Sequence, residues 1–175
     1  RPQRSIPVPG GGLRGFSYLT GSLFTLPPLT YLYSMTHHGV YQLFVYGSLR
    51  SGFHHPMYEY ISRFFTLVGN AKVKGKLYDM GTFPAGMPAN DDHYIVGELY
   101  RIREPHEFSW AIGQLDDYEG VAAESDEVQL YRRELTEAYV NGQTIPAWIY
   151  WFCCDVSGKP LIPSGDMMEY MNKKK

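Results

Sequence analysis

A chain of 175 residues, 44% hydrophobic and 19% charged, can bury one substantial core but is short for two independent domains. Its net charge of -2, with no basic stripe interleaved with aromatics, excludes a nucleic-acid backbone as an expected partner. Its 15 Tyr, 9 Phe and 3 Trp require a core or pocket built from rings, many carrying a hydroxyl that needs a partner.

Residues 1–34 differ from everything after them. They hold five prolines, a Gly10-Gly11-Gly12 run and no acidic residue, and positions 15–34 are uncharged. That composition does not read as a packed element, so 1–34 is expected to be an N-terminal extension, disordered or not native, and 35–175 the working domain. Pro27-Pro28 interrupts the one moderately apolar run, which is too short and too broken to span a bilayer, and no membrane partner is expected.

From Tyr41 the pattern becomes dense. Tyr41–Tyr46 is a β-rich run ended by Gly47. Pro56–Phe65 places proline at a first helical position and apolar residues at helical spacing. Ala71–Tyr78 alternates and predicts a half-exposed strand, Gly81–Asn90 is rich in turn residues and predicts a loop, and Tyr94–Arg103 predicts another strand. Pro105–Tyr118 predicts a helix stopped by Gly120. Tyr131–Val140 and Thr144–Cys153 flank Asn141-Gly142, a strong hairpin signal, and Ile145–Phe152 is apolar enough to be buried on both faces. Five strands with two or three helices, several strands adjacent in sequence, predict an α+β fold: a small mixed β-barrel or strongly curved sheet with peripheral helices.

The two cysteines, Cys153 and Cys154, are adjacent, so a disulfide between them would be strained and none to a distant cysteine is possible. This usage predicts a reduced, cytoplasmic protein. The pairs His37-His38 and His54-His55 lack the spacing of a metal site, and neither metal nor cofactor is expected.

Two segments could carry chemistry. At Tyr46-Gly47-Ser48-Leu49 a hydrophobic strand ends on glycine and small polar residues, where successive backbone N–H groups can hold an anionic or carbonyl oxygen; the plainer reading is a simple turn. Leu115-Asp116-Asp117-Tyr118-Glu119-Gly120 gathers three carboxylates at a helix C-terminus, against the macrodipole. The plainer reading leaves Asp116 and Asp117 solvated, with the helix directing both away from Glu119. A carboxylate facing an aromatic pocket would instead have its pKa raised and become a usable proton acceptor and donor. Ser48 has no visible His-plus-carboxylate arrangement to make it a nucleophile.

In order, VYGSLR, LYDMGTFPA, VGELYRI, LDDYEG and LYRRE span nearly all of Phe44–Cys153 and resemble the gamma-glutamylcyclotransferase-like family. That resemblance implies a small β-barrel with a cavity into which the YGSL turn and the LDDYEG glutamate both project. It implies Glu119 as the acid/base residue, the backbone of Tyr46, Gly47, Ser48 and Leu49 as the substrate cradle, Tyr131 near the pocket, and Phe83-Pro84-Ala85 as a walling loop. It further implies a small gamma-glutamyl substrate cyclised to 5-oxoproline with release of an amine, without metal or cofactor. A non-catalytic domain of the same fold, binding a metabolite or partner, and a related lyase remain as alternatives.

Overall fold

The computed structural model describes residues 39–53, 55–121 and 128–174, all within the unit His37–Lys175. The extension 1–34, the His37-His38 pair and His54 lie outside the described residues. Strands β1 (Gln42–Val45), β2 (Phe65–Lys74), β5 (Tyr94–Ile102), β6 (Tyr131–Val140) and β7 (Gln143–Phe152) close into a barrel in the order β1-β5-β2-β6-β7. Neighbours pair antiparallel except at the β1–β7 seam, which is parallel and joins Leu43 to Trp148. Strands β3 (Lys76–Asp79) and β4 (Pro84–Met87) form a separate two-stranded sheet. Among the described residues three α-helices surround this frame: α1 (Pro56–Phe64), α2 (Phe108–Glu119) and α3 (Met167–Lys174). The expected α+β barrel with peripheral helices is the fold observed.

Period-two alternation along the strands creates two cores. Along β1 and the residue that follows it, Phe44 and Tyr46 join Val73, Ile95, Leu99 and Ile149 inside the barrel, whereas Leu43 and Val45 pack outward with Ile61 of α1 and Ile112 and Leu115 of α2. Each such side chain, when fully buried, contributes about 1.5–3 kcal/mol relative to exposure. Because β1 is only four residues long, its position depends on a close approach to β5 at Gly97. A Cβ there would lie 2.2 Å from the Val45 carbonyl oxygen and 2.6 Å from Phe44 Cζ.

Several boundaries differ from the sequence expectation. The predicted strand Ala71–Tyr78 is two strands, β2 and β3, parted at Gly75, where a Cβ would stand 2.8 Å from the Met87 carbonyl oxygen of the crossing β4. The predicted loop Gly81–Asn90 contains β4, whose Pro84 takes the first strand position, where a missing N–H is tolerated. The second hairpin strand is Gln143–Phe152, and it is buried on both faces only from Ala147, with Trp148 half-buried. Pro105–Glu107 forms a 3-10 turn that leads into α2. Helix α3 has no counterpart in the sequence reading; it starts where Asp166 Oδ1 accepts the Met168 N–H at 2.9 Å.

Candidate active site

Where β1 runs out of the barrel, a cavity of about 230 Å³ opens between the 46–49 turn and the end of α2. It collects every site residue expected from sequence: Tyr46, Gly47, Ser48, Leu49, Glu119 and Tyr131. Phe83 and Pro84 wall it as well, while Ala85 is fully buried in β4 and is not in the lining.

The turn is held from below. The Arg50 N–H donates to the Gly47 carbonyl at 3.0 Å and closes the turn. The Ser51 N–H and hydroxyl then donate to the Glu98 carboxylate at 2.9 and 2.6 Å, and the Tyr100 hydroxyl donates to the same carboxylate at 2.7 Å. Glu98 is buried on β5, so these three bonds offset the cost of placing a carboxylate there. The Ser48 and Leu49 N–H groups find no acceptor among the described residues, which leaves them available to a ligand. Leu49 turns its side chain into the outer core, so only its backbone faces the cavity's chemistry. The Tyr46 hydroxyl is committed too: it donates to the Tyr150 carbonyl at 2.6 Å and accepts from the Gly86 N–H at 3.3 Å. Tyr46 therefore supplies a wall, not a free hydroxyl.

Glu119 is the last residue of α2 and lies seven and four residues beyond Ile112 and Leu115 along the apolar stripe. Gly120 ends the helix in the left-handed region (φ 68°), its N–H bonding the Asp116 and Asp117 carbonyls, so the chain turns away directly after the carboxylate. Burial pushes the Glu119 carboxyl up to about 7, and no hydrogen bond among the described residues offsets it. Tyr46, Tyr118, Tyr131 and Tyr150 surround it. Burial raises each phenol first, and the negative charge of Glu119 raises all four further. Tyr131 stands edge-on to Phe152 at 5.5 Å, and Phe152 meets Phe83 at 5.8 Å, which ties β6, β7 and the β3–β4 connection into one aromatic wall.

A stability consequence follows from that burial. The folded-state pKa of Glu119 is raised, so the protein gains most from this group when it is protonated and loses that gain as pH climbs through about 7. Glu119→Gln is accordingly expected to match the parent in thermal unfolding at pH 5 and to exceed it at pH 8 by roughly 2 kcal/mol. An unchanged difference between the two pH values would show that the carboxylate is solvated.

Asp116 departs from expectation. It stands four residues after Ile112, on the edge of the buried stripe, and is not solvated. Its two oxygens accept from Arg133 Nε at 2.8 Å and Nη2 at 3.1 Å, and the Tyr150 hydroxyl donates to it at 2.8 Å. The Arg133 guanidinium lies over the Trp148 ring, 4.6 Å from its centroid. Asp116 thus fixes Tyr150, a pocket wall, and faces the same side of α2 as Glu119; only Asp117 is exposed and directed away. Asp116→Asn should cost about 1–3 kcal/mol in denaturant unfolding because Arg133 loses its anionic partner, while Asp117→Asn should be neutral. The sequence reading singles out neither Glu98 nor Arg133 and takes Asp116 as solvated, although a carboxylate inside the apolar run Tyr94–Ile102 is a usable signal for the first.

No three His, Cys, Asp or Glu side chains among the described residues could share a metal ion, and both cysteines are free. No helix among the described residues is long and apolar enough to cross a membrane.

The barrel rim thus brings the 46–49 turn, with its free N–H groups, and the desolvated Glu119 carboxyl into one cavity. Residues 43–169 match the gamma-glutamyl cyclotransferase, AIG2-like family, and the chain belongs to that family. It is 32% identical over 134 residues to a protein of Methanocaldococcus jannaschii provisionally named a gamma-glutamylcyclotransferase, covering 73% of this chain and 96% of that one. It is 30% identical over 131 residues to the gamma-glutamylcyclotransferase family protein YtfP of Escherichia coli, again covering 73% and 96%. Among solved structures, YkqA of Bacillus subtilis superposes with a TM-score of 0.56 at 26% identity; the match covers 77% of this chain but only 42% of YkqA.

Proposed function

We propose that the protein is a gamma-glutamylcyclotransferase-type enzyme that converts a gamma-glutamyl amine or amino acid into 5-oxoproline and a free amine, with Glu119 as general acid/base. The observation that carries this reading is the isolated Glu119 carboxyl, raised to about 7 by burial and set in the same cavity as the free Ser48 and Leu49 N–H groups. A general base works best when its pKa lies near the working pH.

The chemistry needs no enzyme nucleophile. The substrate's alpha-amine nitrogen attacks the gamma-carbonyl carbon, a five-membered lactam closes, and the bond to the leaving amine breaks. Intramolecular attack already carries a large proximity advantage, so the protein's task is to fold the substrate and move one proton. Glu119 accepts that proton from the alpha-amine and returns it to the departing nitrogen. The turn N–H groups hold an oxygen of the substrate. Tyr131 and Tyr46 exclude water from the ring-closing conformer.

Incubation with a panel of gamma-glutamyl compounds, with 5-oxoproline detected by mass spectrometry, tests the reading. Absence of 5-oxoproline across amino-acid, alkyl and aryl leaving groups would sink it and favour a binding domain. Where turnover is seen, kcat/KM should rise with pH through about 7 and level off above, since Glu119 must be ionised to accept the proton. Prolonged chelation should leave the rate unchanged; recovery of a chelated, inactive protein on adding zinc or manganese would overturn the metal-free route.

A further inference from the structure

A second cavity, of about 420 Å³, lies beside the reacting pocket and shares Ser48, Phe83 and Pro84 with it. We propose that it receives the leaving-amine portion of the substrate and selects amines that carry an arylalkyl or similarly bulky apolar body. The proposal rests on the cyclotransferase reading above. A gamma-glutamyl group seated at the turn has its amide nitrogen at one end of its chain, and the second cavity adjoins the first at Ser48, Phe83 and Pro84, where the substituent on that nitrogen would cross.

The chemistry of the second cavity decides what fits. Its own walls are Phe53, Met167, Tyr170 and Met171, an aromatic and thioether surface that adapts to flat apolar groups. Its charged residues are already committed. Lys174 is paired with Asp79 and lies over the Tyr170 ring at 4.7 Å, while the other Asp79 oxygen accepts the Gly81 N–H at 2.8 Å. The His55 Nδ1 caps α1 through the Met57 N–H at 3.2 Å. A leaving group ending in a carboxylate or ammonium would compete with these pairs, whereas an apolar one would simply displace water from the aromatic and thioether walls.

The wall is also firmly mounted. At one end of α3, Asp166 binds Arg50 Nη1 at 2.9 Å, directly after the 46–49 turn; at the other, Lys174 binds Asp79 of β3. Met168 fills the space over Gly52, where a Cβ would sit 2.1 Å from its Cε. Tyr170, Met171 and Lys174 lie beyond the family-matched segment 43–169, so this part of the wall is supplied by residues outside it.

The test compares gamma-glutamyl-phenethylamide with gamma-glutamyl-methylamide on the full chain. Formation of 5-oxoproline should favour the phenethylamide at least tenfold in kcat/KM, and Met171→Glu or Tyr170→Ala should each reduce that ratio severalfold. Calorimetry on Glu119→Gln should show at least tenfold tighter binding of the phenethylamide. Selective binding without 5-oxoproline from either compound would keep the amine site and overturn the cyclotransferase reading. Turnover of both compounds with equal kcat/KM would keep the reaction and overturn the amine site, as would variants that slow both compounds by the same factor.

Discussion

Replacing Glu119 with Gln should lower 5-oxoproline formation by roughly 10²–10⁴-fold, the range that a positioned general base contributes, while the fold and ligand binding survive. Gln keeps the size and most of the hydrogen-bonding capacity of Glu but cannot take a proton. The site makes this a clean substitution, because the Glu119 carboxylate anchors no other described residue through a hydrogen bond, and removing its charge relieves a desolvation cost. The loss should therefore fall on kcat, accompanied by equal or greater thermal stability above pH 7. Glu119→Asp should also be impaired: Gly120 fixes the helix end, so a shorter side chain withdraws the carboxylate from reach of the amine. Steady-state kinetics on one confirmed substrate decides the matter, and a fully active Glu119→Gln protein would remove the proposed mechanism.

Gly97→Ala should be a strongly damaging methyl addition near the site. The new Cβ would stand 2.2 Å from the Val45 carbonyl oxygen, a backbone atom that no rotamer change can move aside. Relief requires β1 to shift off β5, where Val45 pairs with Glu98. That movement would disturb both the strand leading into the turn and the Glu98 carboxylate that holds Ser51. A cost of ~3 kcal/mol is expected, equivalent to a fall of roughly 6–12 °C in Tm, together with loss of ligand binding. Gly113→Ala in α2 is the matched control: nothing lies within 4 Å of its added Cβ, and helix propensity favours alanine by roughly 0.5–1 kcal/mol. If the two alanines behave alike in thermal denaturation, close packing of β1 on β5 is not what positions the turn.

Local signals carried the elements whose cause is local. Tyr41–Tyr46 announces β1, Pro56 starts α1, Asn141-Gly142 turns the hairpin with both residues in the left-handed region, and Gly120 ends α2 immediately after Glu119. The ordered motifs placed the 46–49 turn, Glu119 and Tyr131 in one cavity, where the structure also has them. What tertiary structure alone decided depends on distant partners. Strand β4 forms in a segment of turn residues because β3 is there to pair with it, and the barrel closes only when Leu43 meets Trp148. Asp116 is withdrawn from solvent because Arg133 and Tyr150 arrive from the hairpin to satisfy it, and Glu98 is tolerated inside β5 because Ser51 and Tyr100 supply three donors. A periodicity reads the burial of apolar side chains, whereas a buried carboxylate is stable only through partners whose positions the fold sets, and those partners leave no periodic trace in the chain.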